Sequence, residues 1–369
     1  MKYMPFLLVI LAACAPRNDQ YSDFRNSLDE YFYEQLPSDE PGGAVLVMKD
    51  DEIVFSKGYG LANMETVEEI TDETLFNLGS ISKTFVANAI LILEHEGKLS
   101  LDDSLLKYFP NFKNSEIAKK VRIKHLLTHT SGLPDVRETR KDSVFYLTAK
   151  DAENWYPITQ VDSLLFEPGT QYEYSNPAFN ALALIVEQVS GIKWQQYVQN
   201  EIFRLAGMTL STITDGPYPE NGVSHGYIKT GSEWREKDYG EEPTFAAAGN
   251  GGVWSSVREL AKYELALREA TFLPKAVIDR SRTTTPFDSW QGDQPPFIGW
   301  SWFIDQHDDD PKTVGHTGSQ GGFLCNYVTI PEKRIFFTIL CNTPRDVPGF
   351  TEHIMEVLRS NNWLEGYAN

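Results

Sequence analysis

Hydrophobic positions along this chain recur in two rhythms, and the rhythm changes by region. "YSDFRNSLDEYFYEQL" spaces Phe24, Leu28, Tyr31 and Phe32 as one helical face. "GGAVLVMKDDEIVFSKGYG" is two β-rich runs around Asp50-Asp51, which predicts a hairpin. "SKTFVANAILILEHEG" returns to helical spacing, with Phe85, Val86, Ala89, Ile90 and Leu93 in one stripe and Gly97 as a stop. From there to about Tyr239 the pattern is mostly helical, interrupted by Pro/Gly loops. In "SNPAFNALALIVEQVSG", Pro177 suits a first helical position and Gly191 the end. The last third reverts to short β-type runs, "FIGWSWFID", "KTVGHTG", "FLCNYVTI" and "RIFFTILCN", before a final helix in "FTEHIMEVLRS".

This order predicts an α/β (α+β) fold. The two strand-rich ends share one antiparallel sheet flanked by the terminal helices, and the middle forms an all-helical lobe. The sheet domain is then discontinuous, residues 21–80 and 241–365, with residues 81–240 inserted between them. The cleft between two such lobes is a favoured ligand site. A chain of 369 residues, 41% hydrophobic, suffices for a core of that size.

The first residues, "MKYMPFLLVILAAC", carry one positive charge and then a run of about ten apolar residues, too few to span a bilayer. They read as a secretory signal over residues 1–13. Leu11-Ala12-Ala13-Cys14 resembles a bacterial lipobox, which makes Cys14 the lipid-bearing first residue of the mature chain and residues 14–20 a tether. The expected location is the bacterial cell envelope, with the membrane reached through a lipid anchor. The formal net charge of -19 repels nucleic acid and anionic lipid surfaces. Cys325 and Cys341 lie on strands either side of "PEKR". A cross-strand disulfide is one reading and two buried free thiols the preferred one.

Three short motifs carry candidate chemistry. In "LGSISKTF", Ser80 precedes Lys83 by three residues, one helical face apart, with Cβ atoms roughly 5–6 Å from each other. A serine becomes a nucleophile when a neighbour takes its proton, and a lysine can do so if burial lowers its pKa. The plainer reading is a serine helix cap with a solvated lysine nearby. Phe76, Leu78, Phe85 and Val86 around the turn favour burial. In "QYEYSNPAFN", Tyr174 offers a phenol to relay a proton, or is a core aromatic. Asn176 could offer its amide to a ligand, and before Pro177 it is also a good helix cap. In "GHTGSQGG", His316, Thr317 and Gly318 form a strand edge at which glycine lets a ligand backbone approach. His316 could donate a hydrogen bond there, and Ser319 N–H could complete an oxyanion hole with Ser80 N–H. The plainer reading is a turn with a surface histidine.

In the order Ser-x-x-Lys, Tyr-x-Asn, His-Thr-Gly, these motifs resemble the penicillin-recognising serine hydrolases. The Tyr-x-Asn form is similar to the branch holding class C β-lactamases, D-Ala-D-Ala carboxypeptidases and related serine esterases. "LLTHTSGLPD", "FEPGTQYEYSN", "IFRLAGM" and "GNGGVWSSVRELAKY" extend the likeness from about Pro41 to Asn342. The resemblance implies a β-lactamase/transpeptidase-like fold and acyl transfer through Ser80, with Lys83 and Tyr174 moving the proton. It implies that Asn176 positions the substrate amide and Lys83, and that Ser80 and Ser319 hold the oxyanion. It implies a small-molecule or peptide substrate and neither metal nor organic cofactor. The β-lactamases of the branch usually carry lysine where His316 stands, so poor β-lactam turnover is expected. A true β-lactamase and a non-hydrolysing penicillin-binding sensor are the rival readings, and a monomer is expected.

"HLLTH" sets His125 and His129 four apart, but Leu126 stands where a zinc peptidase needs glutamate. Structural hydrogen bonds near the lobe interface are the expectation for both. The stretch from Arg140 to Gln160, with Tyr146, Trp155 and Tyr156, either lines the cleft or covers the helical lobe.

Overall fold

The computed structural model describes residues 20–137, 142–215, 218–236, 245–285, 287–306 and 311–365. The signal, Cys14 and most of the tether lie outside the described residues. Among them, no helix is long and apolar enough to cross a membrane.

Six strands form the main sheet: β1 (Gly43–Lys49), β2 (Glu52–Tyr59), β3 (Phe303–Asp305), β4 (Thr313–Gln320), β5 (Phe323–Ile330) and β6 (Ile335–Cys341). Their spatial order is β2-β1-β6-β5-β4-β3, antiparallel throughout. The β1–β2 hairpin turns through Asp50 and Asp51, both at positive φ (52° and 69°), as a tight reversal requires. The two chain ends meet where β1 pairs with β6.

The period of two along β1 sorts its side chains between two cores. Val45 and Val47 face helices α1 (Ser22–Gln35) and α6 (Val347–Ser360), together with Phe24, Leu28, Phe32, Phe350 and Ile354. Ala44, Leu46 and Met48 face the larger core that the middle of the chain supplies. That core surrounds α2 (Ser82–His95), in which every residue from Ser82 to Leu93 is buried. The one-sided stripe expected for this segment is thus a helix covered on all sides and packed against α4 (Asn176–Ser190). Short helices make up most of the rest of the middle, including α3 (Asp151–Trp155). Helix α5 (Val257–Arg268) packs on the inner face of the sheet.

Several local expectations need correction. The N-cap of α4 is Ser175, whose hydroxyl accepts from Ala178 N, so Asn176 is the first helical residue and Pro177 the second. The helical middle also contains a hairpin, Tyr227–Thr230 with Glu233–Glu236, turning at Gly231. Cys325 pairs with Leu340 and Cys341 with Leu324. This one-residue offset puts the thiols on opposite faces, one in each core, and both are free.

Candidate active site

Ser80 lies in a short 3-10 turn, Gly79–Ile81, that leads into α2. No side chain caps either helix, so Ser80 is not a cap. The turn is held by Gly79 N, which donates to Asn77 Oδ1 at 2.9 Å. It packs on the edge of β4. An ideal Cβ on Gly79 (φ 49°) would sit 2.8 Å from Ser319 N, and one on Gly318 would sit 2.0 Å from the Leu78 oxygen. Glycine at 318 therefore admits the serine's own turn rather than a ligand's backbone.

Lys83 follows one turn later and is fully buried. Its Nζ is 2.9 Å from Ser80 Oγ and 2.7 Å from the Asn250 carbonyl oxygen, to which it donates. The ammonium position sits over the rings of Tyr174 and Phe179, 5.2 and 5.8 Å from their centroids. Among the described residues no carboxylate makes an ion pair with it. Loss of hydration, and then the nearby Arg137 guanidinium, push its pKa well below the ordinary lysine value. Arg137 is itself buried, held by Asp135 through Nε (2.9 Å) and Nη2 (2.6 Å) and by Asn154. With Nζ neutral and one N–H on the Asn250 carbonyl, the lone pair is available to the Ser80 hydroxyl.

The Tyr174 phenol lies in the same cleft as Ser80. Burial raises the phenol's pKa and Ser80 acts, more weakly, to lower it, so it stays protonated in the neutral range and can pass a proton rather than act as a free phenolate. Its ring stacks on His129, centroids 4.3 Å apart. His129 is buried, at positive φ (55°), and its Nδ1 accepts from Ser175 N at 3.0 Å, which anchors the loop carrying Tyr174. His125 Nδ1 accepts from Arg122 N at 3.1 Å. Both histidines thus make the structural hydrogen bonds expected of them. Among the described residues no group of three or more His, Cys, Asp or Glu could hold a metal.

His316 is buried, not on the surface, and lines the cleft. Burial, and then Lys83, lower its pKa to about 3, so the ring is neutral. Its Nδ1 lies 2.6 Å from the Thr317 carbonyl, which only accepts, so the ring proton is on Nδ1. Nε2 is left as a buried acceptor without a partner, the reverse of the donor expected there. β3 pairs with β4 only at Thr313–Gly315, which leaves the edge from His316 to Ser319 beyond the reach of that strand. Thr317 and Ser319 are exposed on it and line the cleft. Asn176 lines the cleft too, with Oδ1 buried and without a partner. The second hold on Lys83, expected from Asn176, comes instead from the Asn250 carbonyl. Asn250 carried no assigned role in the sequence, and a backbone acceptor leaves no mark there.

The cleft has a volume of about 940 Å³. It runs from Ser80 past Tyr146 and Tyr174 along β4 and β5 to Met355 and Arg359 on α6. The Arg140–Gln160 segment therefore has two fates. Tyr146 lines the cleft, whereas Trp155 is buried in the large core and Tyr156 is exposed.

The chain is similar to several known proteins. Penicillin-binding protein 4* of Bacillus subtilis (strain 168) is 26% identical over 337 residues, 86% of this chain and 71% of the relative. A putative D-alanyl-D-alanine carboxypeptidase of Escherichia coli (strain K12) is 26% identical over 362 residues, 86% of this chain and 82% of that one. The solved octameric penicillin-binding protein homologue of Pyrococcus abyssi is 26% identical, with a TM-score of 0.79 over 91% of this chain and 77% of that one. The model of the Beta-lactamase family matches residues 32–361, and the chain belongs to that family.

Proposed function

We propose that this protein is an exported serine hydrolase that opens a peptide, amide or ester bond through an acyl-enzyme on Ser80. One observation carries the reading: a lysine amine, buried and with no anion paired to it among the described residues, stands 2.9 Å from a serine oxygen. The Lys83 lone pair takes the Ser80 proton as Oγ bonds to the substrate carbonyl carbon. The negative charge that develops on the carbonyl oxygen meets the N–H groups of Ser80 and Ser319. As the carbon–nitrogen or carbon–oxygen bond breaks, Lys83 returns the proton to the leaving group, with Tyr174 as relay. Water then repeats the attack, and the acid and free Ser80 are regenerated.

Neutral His316 supplies no fixed cation for a substrate carboxylate. This supports a D-amino-acid peptidase or esterase-like activity over that of a β-lactamase; a DD-peptidase substrate also ends in a carboxylate, and that reading is supported by the name of the Escherichia coli relative. The N-terminal pattern ending at Cys14 supports export and lipid anchoring. The chain is read as a monomer, which light scattering tests against the octamer of the archaeal relative.

The deciding experiment incubates wild type and Ser80→Ala with a fluorescent penicillin and with a fluorophosphonate, then maps adducts by mass spectrometry. The expected result is an adduct on Ser80, with the penicillin released slowly and short acyl esters or D-Ala-terminated peptides turned over. Absence of any Ser80 adduct would overturn the reading. Labelling with tritiated palmitate, lost in Cys14→Ala, tests the anchor.

A further inference from the structure

A buried carboxylate is linked to the Lys83 site through Asn180 and Asn250 and takes no part in the chemistry above. Asp151 is the first residue of α3 and lies outside the cleft lining. Among the described residues no cation pairs with it. Three neutral donors hold it instead: Asn180 Nδ2 (2.7 Å) and Gly249 N (2.8 Å) on Oδ1, and Trp194 Nε1 (2.8 Å) on Oδ2. The other hydrogen of the Asn180 amide goes to Asn250 Oδ1 at 3.0 Å. The carbonyl of that same Asn250 fixes Lys83. Asp151 therefore grips the backbone just before Asn250 and, through Asn180, its side chain.

The turn is also pressed against α4. An ideal Cβ on Gly249 would sit 2.7 Å from the Phe179 oxygen and 2.6 Å from Ala183 Cβ. A carboxylate buried among neutral donors alone is a costly way to pack a helical lobe, so its presence asks for a use. The charged groups around it give it no counter-charge. Glu187 on α4 opposes its ionisation, and Lys150 beside it in sequence is paired with Asp215 at 2.6 Å. Burial pushes the carboxyl up to about 7.

We infer that Asp151 is a positioning residue for the Ser80 reaction: through Gly249, Asn180 and Asn250 it holds the Asn250 carbonyl on Lys83, which keeps the amine's lone pair on the Ser80 hydroxyl. The inference rests on the acyl-transfer reading of Ser80. A neutral amine turns freely about its Cε–Nζ bond, and one N–H locked on a fixed carbonyl removes that freedom before substrate arrives.

The test is the saturation kinetics of fluorophosphonate labelling at Ser80, which separates initial affinity from the rate of bond formation. In Asp151→Leu, which removes both acceptor oxygens, the bonding rate per folded molecule should fall about tenfold or more at unchanged affinity. Asn180→Ala cuts the same arm without touching the carboxylate, and should also lower the rate if Asp151→Leu fails to fold. Trp194→Phe removes a donor from the far oxygen only, so it should lower Tm yet leave the rate within about twofold of wild type. A rate within about twofold of wild type in Asp151→Leu or Asn180→Ala would overturn the inference. So would Trp194→Phe losing rate as far as they do, because the effect would then be general destabilisation. If wild type itself takes no label, the acyl-transfer reading falls and this inference with it. If wild type is labelled and Asp151→Leu matches it, only the inference falls.

Discussion

Lys83 and Arg282 are both buried cations near the middle of the molecule, and their surroundings treat them in opposite ways. Arg282 faces Glu264 through two bonds, Nη2–Oε2 at 2.7 Å and Nη1–Oε1 at 3.2 Å. Glu264 also receives Arg268 Nε at 2.9 Å, Thr329 Oγ1 at 2.8 Å and the Tyr327 hydroxyl. Both carboxylate oxygens of Glu264 are engaged, so its charge is locked in place, although Arg282 Nε is buried without a partner. Burial alone would raise the Glu264 pKa, but the two guanidiniums hold it down to about 2. Lys83 has a carbonyl, a hydroxyl and two aromatic faces, with no anion paired to it among the described residues. Without a counter-charge the interior favours the neutral amine. What separates a structural buried charge from a reactive one here is the counter-ion.

The largest effect that tests this contrast is Lys83→Met, which should slow Ser80 labelling by about a thousandfold or more while leaving stability equal or higher. Urea denaturation and labelling kinetics on the same sample read both. Unfolding at reduced urea would instead mean that the amine is part of the scaffold. The mirror change is Glu264→Gln, which strands two guanidiniums and should cost about 3–5 kcal/mol by the same urea assay, with labelling per folded molecule unchanged. Tyr174→Phe keeps the ring on His129 and removes the relay, so turnover of an acyl ester should fall about a hundredfold at nearly constant Tm.

The pH dependences of the two regions should share a sign but fall in different ranges of pH. The labelling rate should rise as pH climbs through the depressed pKa of Lys83 and then level off, because only the neutral amine takes the proton. The unfolded chain keeps its lysine protonated up to about 10.5, so between the two values stability also rises with pH, and Lys83→Met should flatten that slope. Glu264 contributes stability above its ordinary 4.5 that is lost as pH falls towards about 2, and Glu264→Gln should flatten that acid limb. A difference of small absolute size is expected for cephalosporins, whose hydrolysis should stay slow beside that of acyl esters. Efficient turnover in a spectrophotometric assay would return the β-lactamase reading to the front.

The contrast was half legible in the sequence. The apolar flanks Phe76, Leu78, Phe85 and Val86 announced that the turn holding Ser80 and Lys83 is buried, and burial is what depresses the amine. The β-type runs at both ends announced a shared sheet, and their near-continuous apolar character fits strands covered on both faces. What stayed hidden depends on backbone or on register. Every residue has a carbonyl, so nothing marked Asn250 as the second anchor of Lys83. Ser175 and Asn176 are both good caps, and the choice between them follows from where the chain enters α4. His316 read as a surface donor because its tautomer is set by the Thr317 carbonyl, a contact of the folded strand. The cysteines were placed on the right strands, and a one-residue offset decided which core each one entered.

The pairing of β1 with β6 joins stretches from opposite ends of the chain, and the turn bearing Ser80 rests on β4 near Ser319. A nascent chain emerging from the ribosome carries its serine and lysine long before the strand that backs them exists. Contacts so distant in sequence make for slow maturation, and competence for chemistry comes only near the end of synthesis.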